Sequence, residues 1–93
     1  MINRDEILTR FEKVGHKKGT KIYGALSHIL NYGSITIRDL SAYPFYSNGS
    51  NKIIQIIKEF FEANMKLGCV LTYNWDINSN TKARFKKFYI EEI

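Results

Sequence analysis

Between Asn51 and Leu67 the residues Ile53, Ile54, Ile57, Phe60, Phe61 and Met65 fall three and four apart, a spacing that gathers them on one face of a helix. A strand would divide the same residues between two faces. Lys52, Gln55, Glu59 and Glu62 take the opposite face. Ser50 stands at the capping position, and Gly68 closes the run where a left-handed residue is needed. Just upstream, Thr36 followed by Asp39 has capping-box spacing, in which the carboxylate reaches back to the N–H of the cap. That predicts a short helix stopped by Pro44, which has no N–H to donate and disfavours helical geometry in the residue before it. Tyr46-Ser47-Asn48-Gly49-Ser50 then reads as a turn, so Ser34–Gly68 is helix, turn, helix.

Beyond Gly68 the pattern changes to a period of two. Cys69, Leu71, Tyr73 and Trp75 share one parity and Val70, Thr72 and Asn74 the other, a strand pattern rich in strand formers. Asp76 to Thr81 is a polar loop, and Ala83 to Ile90 returns with Arg84, Lys86, Phe88 and Ile90 on one parity. The return strand is basic at its tip end and apolar at its base. Its lysines also suit a plain solvated hairpin that resists edge pairing. Tyr73, Trp75, Phe85 and Tyr89 are compatible either with aromatic pairs that stabilise the hairpin or with a stacking platform for single-stranded nucleic acid. The short Ser34-Ile35 piece is suited to a third, edge strand.

Before this region lie two further amphipathic helices. The first has Asn3 as cap with Glu6 three residues on, a stripe of Ile7, Leu8, Phe11 and Val14, and Gly15 as its end. The second runs from Thr20 to Asn31 on Ile22, Leu26, Ile29 and Leu30, with Gly33 as a left-handed stop. Between them, Gly15-His16-Lys17-Lys18-Gly19-Thr20-Lys21 invites comparison with a phosphate-binding loop. It fails the comparison, being one residue short, with Thr-Lys in the wrong order and no preceding strand. It reads as a basic connection, with Lys17 and Lys18 available to a phosphate backbone.

A chain of 93 residues has material for one core. The expected organisation is one domain over residues 1–93, with an N-terminal helix at 1–15, a helical core at 20–68 and a hairpin at 69–92. No eighteen-residue apolar run or signal-peptide pattern is present in the sequence, which predicts a cytoplasmic protein with no membrane partner. The lone Cys69 reads as a core residue, and His16 and His28 have no partners at metal-ligand spacing, so no metal or cofactor is expected. The carboxylates look like cap and turn residues and the serines lie outside any nucleophile motif, so no enzymatic activity is expected. The net charge of +5 favours a polyanionic partner, the more so because Lys13, Lys17, Lys18 and Lys21 cluster in one place and Lys82, Arg84, Lys86 and Lys87 in another.

The element order from Lys21 to Glu92, with Ile-Thr before the second core helix, Gly68 ending the long helix and a basic hairpin after it, resembles the small winged helix-turn-helix proteins of phages and mobile elements. The turn between the motif helices, Pro44 to Ser50, is longer than the usual three or four residues. The resemblance implies an α+β winged helix-turn-helix fold of about four helices with a C-terminal β-hairpin wing, and a double-stranded DNA-binding transcriptional regulator. Asn51, Lys52 and Gln55 would meet base edges, for which Asn and Gln suit adenine and Lys suits guanine. Lys17, Lys18, Ser47, Asn48, Ser50, Lys82, Arg84 and Lys86 would contact phosphates, with Arg38 a weaker candidate. The alternative is an inhibitor that uses the same scaffold to bind and block a host protein, which Glu59 and Glu62 on the long helix favour. The oligomeric state is left open, a homodimer included.

Overall fold

A computed structural model of the chain describes residues 2–41 and 50–93, with the side chains of Ser41, Ser50 and Asn51 outside the description. Its elements are α1 (Arg4–Lys13), α2 (Lys21–Tyr32), β1 (Ile35–Thr36), α3 (Ile37–Ser41), α4 (Ser50–Ala63), a 3-10 turn (Met65–Leu67), β2 (Cys69–Ile77) and β3 (Arg84–Glu92). This is an α+β arrangement with a three-stranded antiparallel sheet in the order β1-β3-β2. The last strand lies in the middle, with Ile35 opposite Phe88 on one side and Leu71 opposite Ile90 on the other. The short edge strand at Ile35 is therefore as expected, shifted by one residue. Among the described residues no helix is long and apolar enough to cross a membrane.

Caps set the helix starts as the sequence indicates. The Glu6 N–H donates to Asn3 Oδ1 at 3.1 Å, and the Tyr23 N–H to Thr20 Oγ1 at 3.3 Å. At α3 the box is reciprocal: the Asp39 N–H donates to Thr36 Oγ1 at 3.1 Å and the Thr36 N–H to Asp39 Oδ2 at 2.9 Å. Because Thr36 also ends β1, the box holds strand and helix at a fixed angle. Thr36→Ala is therefore expected to cost about 1 kcal/mol, and Thr36→Ser to recover most of it, in urea unfolding curves. Gly33 and Gly68 close their elements with φ of 89° and 70°, which a side chain would resist. Pro44 and the turn before Ser50 fall outside the described residues.

The core is continuous. Phe11 from α1, Leu26 and Ile29 from α2, Ile35, Leu40, then Ile57 and Phe61 from α4 are almost wholly removed from solvent. Phe60 packs edge-on against both Phe11 and Phe61, at 4.8 and 5.2 Å between ring centroids, a favoured aromatic geometry. Cys69 belongs to this core; burial, and then the nearby Glu92 carboxylate, push its thiol above the ordinary value.

Two residues of the expected stripes lie elsewhere. Val14 is 53% exposed, because α1 ends at Lys13 and the chain leaves the core at Val14. Met65 is 59% exposed, because α4 stops at Ala63 and the 3-10 turn that replaces its last turn rotates the following side chains off the helical stripe. Asp76 and Ile77, read as loop, extend β2.

Candidate functional site

The two hairpin strands divide into halves. At the base, Cys69, Leu71, Phe88 and Ile90 are buried on the face that meets the helices, and α4 lies against β2. From Tyr73 outward β2 is exposed, so the outer hairpin stands clear of the core. A strand advances about 3.3 Å per residue, which makes that projection on the order of 15 Å.

On the projecting half the same face continues as aromatics and cations. Trp75 and Lys86 are directly opposite, Tyr73 faces Phe88, and Arg84 faces Ile77. The Arg84 guanidinium lies 4.6 Å from the Trp75 ring centroid, and Lys86 Nζ lies 4.5 Å from that of Tyr73 and 5.5 Å from that of Trp75. The aromatic faces thus hold both cations on one side of the hairpin. Phe85 and Tyr89 point to the other side, opposite Asp76 and Thr72, so the four aromatics do not form one stacking platform. Period-two alternation carries this split; a platform needs one parity.

The hairpin tip is built on Asn78. Its N–H donates to Ala83 O at 2.9 Å, its carbonyl accepts from the Lys82 N–H at 2.7 Å, and its side-chain Oδ1 accepts from the Asn80 N–H at 2.9 Å. Lys82 is held exposed in the left-handed region, at φ 58°.

α4 sits between two grooves. On its hairpin flank, Gln55 and Lys58 meet Thr72, Tyr73 and Lys86 around a groove of about 470 Å³. On its other flank, Lys52 and Ile56 meet Gly19, Thr20 and Ile22 around about 490 Å³. The connection carrying Lys17 and Lys18 therefore passes the N-terminal turn of α4. Thr20 organises that connection, its hydroxyl donating to Lys17 O at 2.7 Å while its oxygen caps α2.

Lys17, Lys18, Lys52, Gln55, Lys82 and Arg84 are exposed and Lys86 is half-buried. Gln55 Nε2 donates to Glu59 Oε1 at 3.0 Å, so its amide already has a partner within the helix. Ser50 begins α4. Ser47 and Asn48 lie outside the described residues, as do the side chains of Ser50 and Asn51. Lys58 is the residue that sequence reading missed; its position three after Gln55 places both on one flank, and helical spacing alone could have identified it.

Neither histidine is isolated. His16 stacks on Phe11 at 4.5 Å, and His28 rests on Tyr32 with Nε2 4.0 Å from Asp39 Oδ2. Among the described residues no group of three His, Cys, Asp or Glu side chains could hold a metal ion. No family model, no curated protein and no solved structure matches this chain.

Proposed function

We propose that this chain is a winged helix-turn-helix protein that binds double-stranded DNA as a small regulator of phage or mobile-element type. In this reading α3 and α4 are the motif helices and β2–β3 is the wing. Support comes from the element order and from the central placement of β3 between β1 and β2. The observation that carries the reading is that the middle of α4, at Gln55 and Lys58, opens on one groove with Lys86 of the hairpin, while residues 19–22, the end of the basic connection, border Lys52 and Ile56 on the other flank of the helix. A helix inserted in a major groove about 12 Å wide has a phosphate backbone on each side. Cations on both flanks of α4 suit that geometry.

Asn51, Lys52 and Gln55 then read base edges, and Lys17, Lys18, Lys82, Arg84 and Lys86 take phosphates. Ser47, Asn48 and Ser50 keep the phosphate role that the resemblance implies. Glu59 and Glu62 would repel the duplex, so only the first half of α4 enters. For Gln55 to read adenine it must exchange its bond to Glu59 for two to the base.

Those two carboxylates, with Trp75 and Ile77 exposed on the hairpin, favour the second reading, a scaffold that binds and blocks a host protein. Fluorescence anisotropy of a labelled random duplex at low salt separates the two. Saturable binding that weakens with added salt is expected for the DNA reading. Absence of binding under those conditions overturns it and leaves the protein-directed reading.

A further inference from the structure

A third groove lies along the β3 edge of the hairpin, where β3 runs on past the end of β1. Strand β1 pairs with β3 only at Ile35 and Thr36, opposite Phe88 and Lys87. The chain then turns into α3, leaving the segment Arg84–Lys86 to border a space of about 550 Å³. Its walls include Ile37, Trp75 and Phe85, and its charged residues are Arg38, Arg84 and Lys86. Among the described residues no Asp or Glu lines it. Ile37 and Trp75 are 36% and 52% exposed, so water is in contact with apolar surface that a ligand would cover.

We propose that this groove binds a small aromatic anion, a carboxylate or sulfonate on a body of one or two rings. Its volume is within the range of small-molecule sites, roughly 300–1,000 Å³, and such sites combine apolar walls with a few placed polar groups. The walls favour a flat apolar body over a hydrated phosphate backbone, which has no ring to lay against Trp75. Three cations without a carboxylate select the sign of the ligand's charge. Arg84 is already held 4.6 Å from the Trp75 ring, so less side-chain freedom is lost when it takes an anion than from an arginine loose in solvent. Arg38 approaches from α3, so the ligand would bridge helix and hairpin. The site does not depend on the nucleic-acid reading, but Arg84 and Lys86 belong to both, so the anion and a duplex would compete for them.

Trp75 is the chain's one tryptophan and stands in the groove wall, so its emission reports occupancy directly. Anilinonaphthalene sulfonate, an aromatic anion that accepts energy from tryptophan, is the probe, titrated into the full chain without DNA. Saturable quenching of Trp75 at one probe per chain is expected. Arg38→Gln should weaken binding roughly tenfold, the loss of one charge-assisted hydrogen bond. Ile37→Glu should abolish it, by removing an apolar wall and adding a like charge. Glutamate is favourable in a helix's first turn, so that variant should keep its fold, as circular dichroism will verify. Lys13→Gln, on α1, should change nothing. The neutral isostere phenylnaphthylamine should bind at least tenfold more weakly than the sulfonate. Equal binding of the neutral isostere, unchanged affinity in Arg38→Gln and folded Ile37→Glu, or quenching that never saturates would overturn the proposal. Displacement of the probe by short oligothymidylate at comparable concentration would overturn it too, reassigning the groove to bases.

Discussion

Phe61→Ala is expected to lower the unfolding free energy by about 3–5 kcal/mol, the range for deleting a buried phenylalanine side chain. Phe61 has no solvent exposure and rests edge-on against Phe60, which in turn packs on Phe11. The alanine would therefore leave a void between α4 and its neighbours that rigid rings fill poorly. A domain of this size has a total stability of roughly 5–14 kcal/mol, so the variant should unfold at a much lower urea midpoint. Val14→Ala and Met65→Ala are the contrast. Both residues are more than half exposed, and each change should stay within about 0.5 kcal/mol. A loss below about 1 kcal/mol for Phe61→Ala would mean that α4 presents the other face to the core, and Lys52 and Gln55 would then lose their proposed role.

If the chain binds duplex DNA as proposed, raising salt fourfold should weaken binding several-hundred-fold. Lys17, Lys18, Lys82, Arg84 and Lys86 each neutralising one phosphate gives a log–log slope of about −4.5, and a fourfold change in salt at that slope is about 500-fold. Lys82→Ala and Arg84→Ala should each flatten the slope by about one and weaken all duplexes alike. Arg84→Ala also removes the cation from the Trp75 face, a contact worth about 0.5–1 kcal/mol at an exposed site. Trp75 fluorescence will show whether the hairpin holds; only the salt slope reports the phosphate. Gln55→Ala and Asn51→Ala should leave the slope nearly unchanged and cost about 1–3 kcal/mol on a preferred site selected from a random pool. Wing and helix variants that behave alike would refute the division into phosphate contacts and base contacts.

The starts of α1, α2 and α3, the left-handed stops at Gly33 and Gly68, the buried face of α4 and the basic-to-apolar gradient of β3 are legible in the sequence alone. Each depends on residues a few positions apart, whose geometry the backbone period dictates. Val14 and Met65 escape such a reading because a period describes a helix but does not say where the chain leaves it. The α+β class follows from element types, whereas the placement of β3 between β1 and β2 joins Ile35 to Phe88, residues far apart in the sequence that meet only when the core closes. Tertiary structure likewise decides where the site is. Parity places Arg84 and Lys86 on the face of Tyr73 and Trp75, but only the packing of α4 against β2 brings Gln55 and Lys58 to that face. Only the early end of β1 leaves a groove beside Ile37 and Arg38. Such contacts depend on how whole elements meet, through buried surface summed over many residues, and no local pattern encodes them.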